Sequence, residues 1–387
     1  MPAFVFETTP KIICEQGGSH RLGEIAAGLG MRRVFVVTDK GLMQAGLLAP
    51  ALASLQGAGI QTQVFSDVQA DPPELSVQSA VDAALAFGAD GVVGLGGGSS
   101  MDTAKLVALL ARTPQKLPDI YGIGLAQGPR LPLIQVPTTA GTGSEVTPIS
   151  ILTTPSHEKK GVVSPLLYPD IALLDSLLTL GLPPAITAMT GVDAMVHAIE
   201  AFTSRHKKNP LSDALAIQAL QLLYANLQAA VQDGQSGRDP DVRERMLQGS
   251  LFAGMAFANA PVGAVHALAY PLGGHHHLPH GLSNSLVLLP VLQFNLPTAA
   301  PLYAQLGRAI LPDLAHLPDK QAAQSFVDAM SRCVASMPYA QTLREAGIAR
   351  DDLPKLATDA MNVQRLLVNN PREVNYDDAL AMYQAAY

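Results

Sequence analysis

The feature of this chain that most constrains its fold is the order of its apolar segments. Between about residues 30 and 175, short apolar segments such as RRVFVVTD, QTQVFSDV and ADGVVGLGGG alternate with longer amphipathic ones such as SVQSAVDAALAFG. Short apolar runs separated by helical patterns are typical of buried parallel strands joined by helices. LPLIQVPTT and PDIALLD are further strand candidates. The pattern predicts a doubly wound parallel sheet of the α/β class.

The pattern changes after about residue 183. Apolar residues then recur at three- and four-residue spacing in PPAITAMTGVDAMVHAIEAFTS, DALAIQALQLLYANLQAAVQD and VRERMLQGSLFAGMAFAN. This spacing predicts helices. Pro183 and Pro184 indicate a helix start, and Gly234, Gly237 and Pro240 a break between helices. We therefore expect two domains, α/β over residues 1–182 and all-α over residues 183–387.

Composition excludes several classes of partner. The net charge of -7 provides no basic surface for nucleic acid, and Pro, Asp or Lys interrupts each apolar run before it reaches the length of a membrane span. The N-terminus has no basic region ahead of an apolar one, which predicts a cytoplasmic protein. With only two cysteines, Cys14 and Cys333, neither in a Cys-x-x-Cys pattern, a disulfide framework is excluded.

A glycine run, GLGGGSSMDTAK from Gly94 to Lys105, follows the apolar DGVV and leads into a helical pattern. Glycines allow the backbone to approach an anion, and a helix start adds exposed N–H groups and the positive end of the helix dipole. A simple tight turn is the alternative. The preceding buried strand, with Ser99 and Ser100 as extra donors, favours a pyrophosphate site.

Asp39 ends the strand segment RRVFVVTD. An acidic side chain at such a strand end accepts hydrogen bonds from ribose hydroxyls and repels a 2′-phosphate, which favours NAD over NADP. A helix N-cap is the plainer role for an Asp in this position. Its place before the glycine run also inverts the usual order of the two motifs.

Polar residues on apolar helical segments form the most informative group. Asp193 and His197 are four apart in GVDAMVHAIEA and so share one helix face. His266 lies in AVHALAYPLGG and His280 in HHHLPHGLSN. A buried carboxylate needs a partner, and one oxygen with imidazole nitrogens suits a divalent ion such as iron or zinc.

Single histidines on apolar helices are usually hydrogen-bonded core residues, but several together with an Asp favour a metal site. His275, His276 and His277 lie in the same loop as His280, and spacing does not distinguish them.

These motifs together resemble those of the iron-containing, or group III, alcohol dehydrogenases. The resemblance rests on VTDKGL, GLGGGSSMDTAK, VPTTAGTGSEVT, HEKKGV, PDIALLD, GVDAMVHAIEA, the stretch from His266 to His280 and the terminal NNPREVNYDDALAMYQAAY. It implies the dehydroquinate synthase-like fold of this family, in which an α/β nucleotide-binding domain precedes an all-α domain and the active site lies in the cleft between them. Dimers or larger homo-oligomers are common in the family.

The resemblance also implies the site residues. The family's metal ligands fall on Asp193, His197, His266 and His280, which decides among the histidines of the loop. Its cofactor contacts fall on Asp39, Asp71, Gly97, Gly98, Ser99, Thr138, Thr139, Thr142 and Lys160. A Ser/Thr-rich turn for the threonines and a solvated surface charge for Lys160 are the plainer alternatives.

One position departs from the family pattern. Some members have a second histidine four residues after the first loop ligand, where this chain has Tyr270. A proton relay through that histidine does not carry over, and Tyr270 either orients substrate or packs between helices. Proximity to the motifs makes Ile149, Phe257 and Leu367 candidates for the wall of an apolar substrate pocket.

The resemblance implies reversible hydride transfer between NAD and a primary alcohol or diol, with Fe²⁺, or Zn²⁺ or another divalent ion, in the Asp/His set. The alternatives are a relative with a special substrate, such as a maleylacetate reductase or a zinc glycerol dehydrogenase, and a lyase like the dehydroquinate synthases. Maleylacetate reductases generally lack the complete ligand set. The terminal motifs do not resemble those of the synthases. A silent binder of metal or nucleotide is the third alternative.

Overall fold

The computed structural model describes residues 3–155, 158–232 and 234–387. The chain divides into two compact units: Glu7–Gly181, which we call the α/β unit, and Leu182–Tyr387 with the described residues before Glu7, which we call the helical unit. His157, the first residue of the HEKKGV motif, lies outside the described residues.

The α/β unit alternates strands and helices as its apolar pattern predicts. Its elements are β1 Lys11–Cys14, α1 Leu22–Gly28, β2 Arg33–Val37, α2 Lys40–Gln44, α3 Ala49–Gly57, β3 Gln61–Phe65, α4 Glu74–Phe87, β4 Gly91–Gly96, α5 Gly98–Leu110, α6 Leu117–Ile120, β5 Gly122–Ile123, β6 Leu133–Pro137, β7 Ile149–Thr153, β8 Lys159–Val163 and β9 Ile171–Leu174.

Six strands form one parallel sheet in the order β1-β9-β6-β4-β2-β3. Side chains alternate across it, because successive residues of a strand point to opposite faces. Val34 and Val36 pack in a cluster with residues of α1 and α3, whereas Phe35 and Val37 pack with residues of α4 and α5. Helices cover both faces, so the doubly wound α/β prediction is confirmed.

A second, three-stranded sheet in the order β5-β8-β7 has no counterpart in the sequence analysis. β7 and β8 pair antiparallel, with Ile151 opposite Gly161. β7 alternates buried and half-buried residues, and its segment ISILT is too short to separate from a loop by periodicity alone.

The helical unit is built of α7 Pro184–Thr203, α8 Pro210–Ala230, α9 Pro240–Asn259, α10 Ala264–His276, α11 His280–Ile310, α12 Asp319–Ala335, α13 Leu353–Met361, α14 Gln364–Leu367 and α15 Tyr376–Ala385. Pro184 and Pro240 open α7 and α9, where proline loses no hydrogen bond. The prediction of a helical second half is confirmed.

Helix α11 corrects one expectation. The sequence predicts that Pro, Asp or Lys interrupts each apolar run before it reaches the length of a membrane span, yet α11 continues through Pro290, Pro297 and Pro301. It has the length and composition of a membrane span, as does the pair α9 and α10, which bends by 104°. α11 packs on α7 and α12 and buries polar side chains such as Ser283 and Asn295. This packing is that of a core helix. It compensates for the hydrogen bonds that the prolines remove.

Candidate functional site

Four side chains of the helical unit converge on one point. Asp193 and His197 project from α7, His266 from the first turn of α10, and His280 from the first residue of α11. Each offers one ligand atom, and these atoms all lie within 4.8 Å of one another. The first three residues are buried, and the His280 side chain is 31% exposed. The structure thus brings together all four predicted ligands, with solvent access on the His280 side.

Local packing brings the helices this close. A Cβ at Gly281 would lie 2.3 Å from the backbone oxygen of Met189, so only glycine permits the start of α11 to approach α7 in this way. The His197 ring stacks on Phe257 at 4.4 Å and on His266 at 4.7 Å between centroids. Phe257, a predicted pocket residue, therefore lies directly beside the cluster.

Glu200, which was not among the predicted site residues, orients His266. Its Oε2 lies 2.6 Å from His266 Nδ1, and its Oε1 accepts the Val265 N–H at 2.7 Å. Its position seven residues after Asp193 places it on the same face of α7, which is the signal that would have revealed it. Burial raises the Glu200 pKa to about 7, opposed by the backbone N–H groups of Val265 and Gly263.

The electrostatics of the cluster fit a cation. Burial lowers the His266 pKa well below its ordinary value. Because Nδ1 faces Glu200, Nε2 is the ring nitrogen that faces the cluster. There Nε2 lies 3.0 Å from His197 Nε2. Although burial disfavours a charged carboxylate, the neighbouring imidazoles hold the Asp193 pKa below its ordinary value. An ionised carboxylate with imidazole nitrogens is a donor set for a divalent metal.

Asn284, one turn after His280, also lies at the cluster. Its amide nitrogen donates to Asp193 Oδ1 at 2.5 Å and lies 3.2 Å from His266 Nε2. Its Oδ1 is buried without a hydrogen-bond partner among the described residues. Because buried polar atoms are usually partnered, this oxygen indicates a place at the cluster for a polar ligand or an ion.

The other histidines of the loop lie outside the cluster. His275 Nε2 is 2.7 Å from Asp359 Oδ2, and His276 Nε2 is 3.6 Å from Asp352 Oδ2. His277 ends α10 with a φ of 54°. The structure therefore selects His280 from among the histidines that spacing alone left open.

Within the α/β unit, the predicted cofactor residues lie at the carboxyl ends of adjacent strands. Asp39 follows β2, Gly97 and Gly98 follow β4, and Thr138 and Thr139 follow β6. The start of α5 has no side-chain cap, which leaves its first N–H groups, including that of Ser99, available to an anion. A Cβ on Gly98 would lie 2.8 Å from Thr142 Cγ2, so glycine is required for the close approach of α5 to the threonine loop.

The Asp39 side chain accepts the Leu42 N–H at 3.0 Å and caps α2. Asp39 therefore has the role of a helix N-cap, and its contact with a ribose stays a prediction.

The two lysines of the HEKKGV motif have different environments. Lys159 is 8% exposed and its Nζ lies 2.5 Å from Asp71 Oδ1, whereas Lys160 is 47% exposed and pairs with Glu158 at 3.2 Å. Asp71 adopts a φ of 51°. Of the predicted cofactor residues, Asp71 therefore pairs with Lys159, and Lys160 pairs with Glu158.

A buried lysine at the end of the glycine motif, which was not among the predicted site residues, organises the threonine loop. Lys105 in α5 is fully buried, and its Nζ donates to Ser144 Oγ at 2.7 Å, Thr147 Oγ1 at 3.1 Å and the Ile149 oxygen at 2.7 Å. Asp102, 3.5 Å away, provides its counter-charge. Ile149, a predicted pocket residue, is thus held through its carbonyl.

Glu145, in the same loop, makes the stability of the protein pH-dependent. It is 1% exposed, and burial raises its pKa to about 7 from an ordinary 4.5. The folded protein then holds a proton that the unfolded chain releases, so this contribution to stability is lost as pH rises from about 4.5 to 7.

As pH rises from 5 to 8, the wild type should lose roughly 1–3 kcal/mol of unfolding free energy that Glu145→Gln retains, because glutamine does not titrate. Urea unfolding at both pH values measures it, with the exposed Glu373→Gln as control. Parallel pH profiles for wild type and Glu145→Gln would contradict the assignment.

Comparison with known proteins agrees with this architecture. The profile of the family described as iron-containing alcohol dehydrogenase matches residues 9–176, and that of the Fe-containing alcohol dehydrogenase family, C-terminal, matches residues 187–387. Sulfoacetaldehyde reductase of Bilophila wadsworthia (strain 3_1_6) is 37% identical, with 100% of this chain and 99% of that protein covered.

Solved structures are similar over the whole chain. A 1,3-propanediol oxidoreductase has a TM-score of 0.95 at 33% identity, with 100% of both chains covered. Sulfoacetaldehyde reductase from Bifidobacterium kashiwanohense in complex with NAD⁺ has a TM-score of 0.89 at 28% identity, with 100% of this chain and 99% of that one covered.

The chain belongs to the iron-containing alcohol dehydrogenase family. It is therefore an oxidoreductase with the fold of that family.

Proposed function

We propose that this protein is a metal-dependent, NAD-linked dehydrogenase that interconverts a small primary alcohol or diol and its aldehyde, with Fe²⁺ as its metal. The convergence of Asp193, His197, His266 and His280 carries the proposal. One carboxylate and three imidazoles leave a coordination position for substrate, as catalytic rather than structural sites do. Zn²⁺ or another divalent ion is chemically acceptable to the same donors.

A divalent ion bound by these residues would supply Lewis-acid polarisation of an alcohol or carbonyl oxygen. The chain supplies position and surroundings. Glu200 fixes the His266 ring so that Nε2 faces the cluster, and Phe257 covers the His197 ring. Buried ligands and an apolar neighbour keep water away from most of the cluster, which strengthens electrostatic interactions there.

Cofactor binding is assigned to residues 1–182 and metal binding to residues 183–387 as part of this proposal. The uncapped start of α5 and the adjacent glycines Gly97 and Gly98 support a dinucleotide pyrophosphate at the strand ends. Asp39, at the end of the neighbouring strand, favours NAD over NADP by repelling a 2′-phosphate. We further propose a cytoplasmic protein that forms homo-oligomers, as the sequence analysis expects.

Metal removal and restoration test the function. The protein is stripped with chelator, and Fe²⁺, Zn²⁺ or Mn²⁺ is restored under anaerobic conditions. Formation of NADH or NADPH is followed with ethanol, propane-1,3-diol and longer primary alcohols. We expect turnover that depends on added metal, is highest with Fe²⁺, and prefers NAD to NADP. Turnover in metal-free protein, or none with any alcohol or its aldehyde, would contradict the proposal.

A further inference from the structure

An exposed arginine contacts a tyrosine that neighbours the metal-donor cluster, and no described residue gives it a carboxylate partner. Arg365, in α14, has Cζ 5.7 Å from the centroid of the Tyr270 ring, and its Nη2 lies 3.4 Å from the Tyr270 hydroxyl. The same tyrosine ring lies 6.3 Å from the His280 ring. The guanidinium and the most accessible member of the cluster are therefore both neighbours of the Tyr270 ring.

The fold fixes the backbone of Arg365 while its side chain stays in solvent. Leu366 and Leu367 of the same turn are buried, and α14 packs against α10, which carries both His266 and Tyr270. Asn369 Nδ2 donates to the Arg365 oxygen and to the Val262 oxygen, each at 3.1 Å. Because Val262 lies two residues before the start of α10, the arginine is tied to the helix that positions His266.

Nearby acidic groups do not neutralise this arginine. Asp352 and Asp359 of the adjacent segment face His276 and His275. Among the described residues, no carboxylate lies within ion-pairing distance of Arg365. Apart from its contact with the Tyr270 hydroxyl, its planar set of N–H donors is therefore available to a ligand. Such a set matches the paired oxygens of carboxylates and sulfonates.

The charge of the whole protein makes a local cation significant. The chain carries a net charge of -7, which disfavours the approach of an anion. A neutral alcohol would need no guanidinium at this place. An anionic substrate would need a cation near the metal-donor cluster, and Arg365 shares the Tyr270 ring with His280.

We propose that Arg365 binds the anionic group of the substrate, and that the preferred substrates are short aldehydes and alcohols with a carboxylate or sulfonate at the far end. Tyr270 supports the guanidinium through its ring face and its hydroxyl. This inference rests on the proposed function, because it names the substrate class of the same site. Arg365 acts in binding; the hydride transfer itself is unchanged.

Matched substrates test the proposal in the metal-loaded protein with NADH. Succinic semialdehyde and sulfoacetaldehyde are the anionic probes, and 4-oxobutanamide, the neutral amide of the first, is the control. We expect the ratio of kcat/KM for anionic over neutral aldehyde to fall roughly 10- to 100-fold in Arg365→Gln. Arg365→Lys should restore part of the ratio, because it keeps the charge but loses the planar fork.

The exposed Arg332→Gln, which makes the same charge change on α12, should keep the wild-type ratio. Salt gives an independent readout: KM for the anionic probes should rise with ionic strength in the wild type and much less in Arg365→Gln. An unchanged ratio in Arg365→Gln, or an effect confined to the KM for NADH, overturns the proposal.

A binding measurement separates this inference from the proposed function. Succinate is titrated into metal-loaded wild type and Arg365→Gln by calorimetry. If no aldehyde is turned over but succinate binds only to the wild type, the proposed function fails and the anion site stands. If the wild type turns over neutral substrates but shows no Arg365-dependent binding or selectivity, the anion site fails alone. If the wild type neither turns over any aldehyde nor binds succinate, both the proposed function and the anion site are wrong.

Discussion

His266→Ala is expected to lose its bound metal and nearly all dehydrogenase activity. His266 Nε2 points into the donor cluster, and its ring is held on the other side by Glu200. Removing the ring leaves three donors and a buried gap. Since a Lewis acid contributes several kcal/mol to such a reaction, kcat/KM should fall by about a thousandfold or more.

Elemental analysis of protein reconstituted with Fe²⁺ measures the bound metal directly, beside the rate of NADH formation. His275→Ala is the matched control, because it removes an imidazole at the other end of α10, where His275 faces Asp359 and lies outside the cluster. The control should keep its metal and its activity. Full metal content and turnover in His266→Ala would contradict the assignment of this ligand.

Lys105→Met is expected to destabilise the α/β unit by roughly 3–5 kcal/mol, the cost of breaking a buried charge pair. Methionine retains most of the stem but loses the Nζ atom that bonds Ser144, Thr147 and the Ile149 oxygen. Burial lowers the pKa of Lys105, opposed by Asp102 and Glu145. The variant would leave these buried acceptors without their shared donor.

Equilibrium urea unfolding measures the loss. Because the chain has no tryptophan, unfolding is followed by circular dichroism. Lys116→Met, on an exposed lysine of the same unit, controls for the change of charge. NADH affinity should fall in Lys105→Met as well, since the threonine loop that Lys105 holds contains predicted cofactor residues. A variant as stable as the control would show that the buried lysine contributes little.

Much of the fold was predictable because secondary-structure periodicity is a local property of a sequence. The fully buried segment of β4 and the three- and four-residue spacing in α7 each identify their element without knowledge of its neighbours. The segment of β7 was missed because its burial alternates but its apolar residues do not, since Ser150 is buried while Ile149 and Ile151 are half-buried. The effect of proline on α11 was predicted wrongly. The local sequence shows the hydrogen bonds that proline removes, but it does not show the packing of a core helix that compensates for them.

The candidate site was predictable only in part, because the sequence shows relations between neighbouring residues and not contacts between distant segments. Asp193 and His197 share a helix face by spacing alone, and Glu200 could have been found in that way. Lys159 rather than Lys160 binds Asp71, a pairing set by the fold of segments far apart in the chain.

By itself, the sequence determined the α/β and all-α halves, the glycine-opened helix α5 and the Asp193–His197 pair, because each depends on residues within a few turns or strands of one another. Tertiary structure decided that His280, and none of its loop neighbours, joins His197 and His266, and that Arg365 lies beside Tyr270. Those contacts join helices distant in sequence, and their distances follow from how closely the helices pack, as at Gly281 against α7.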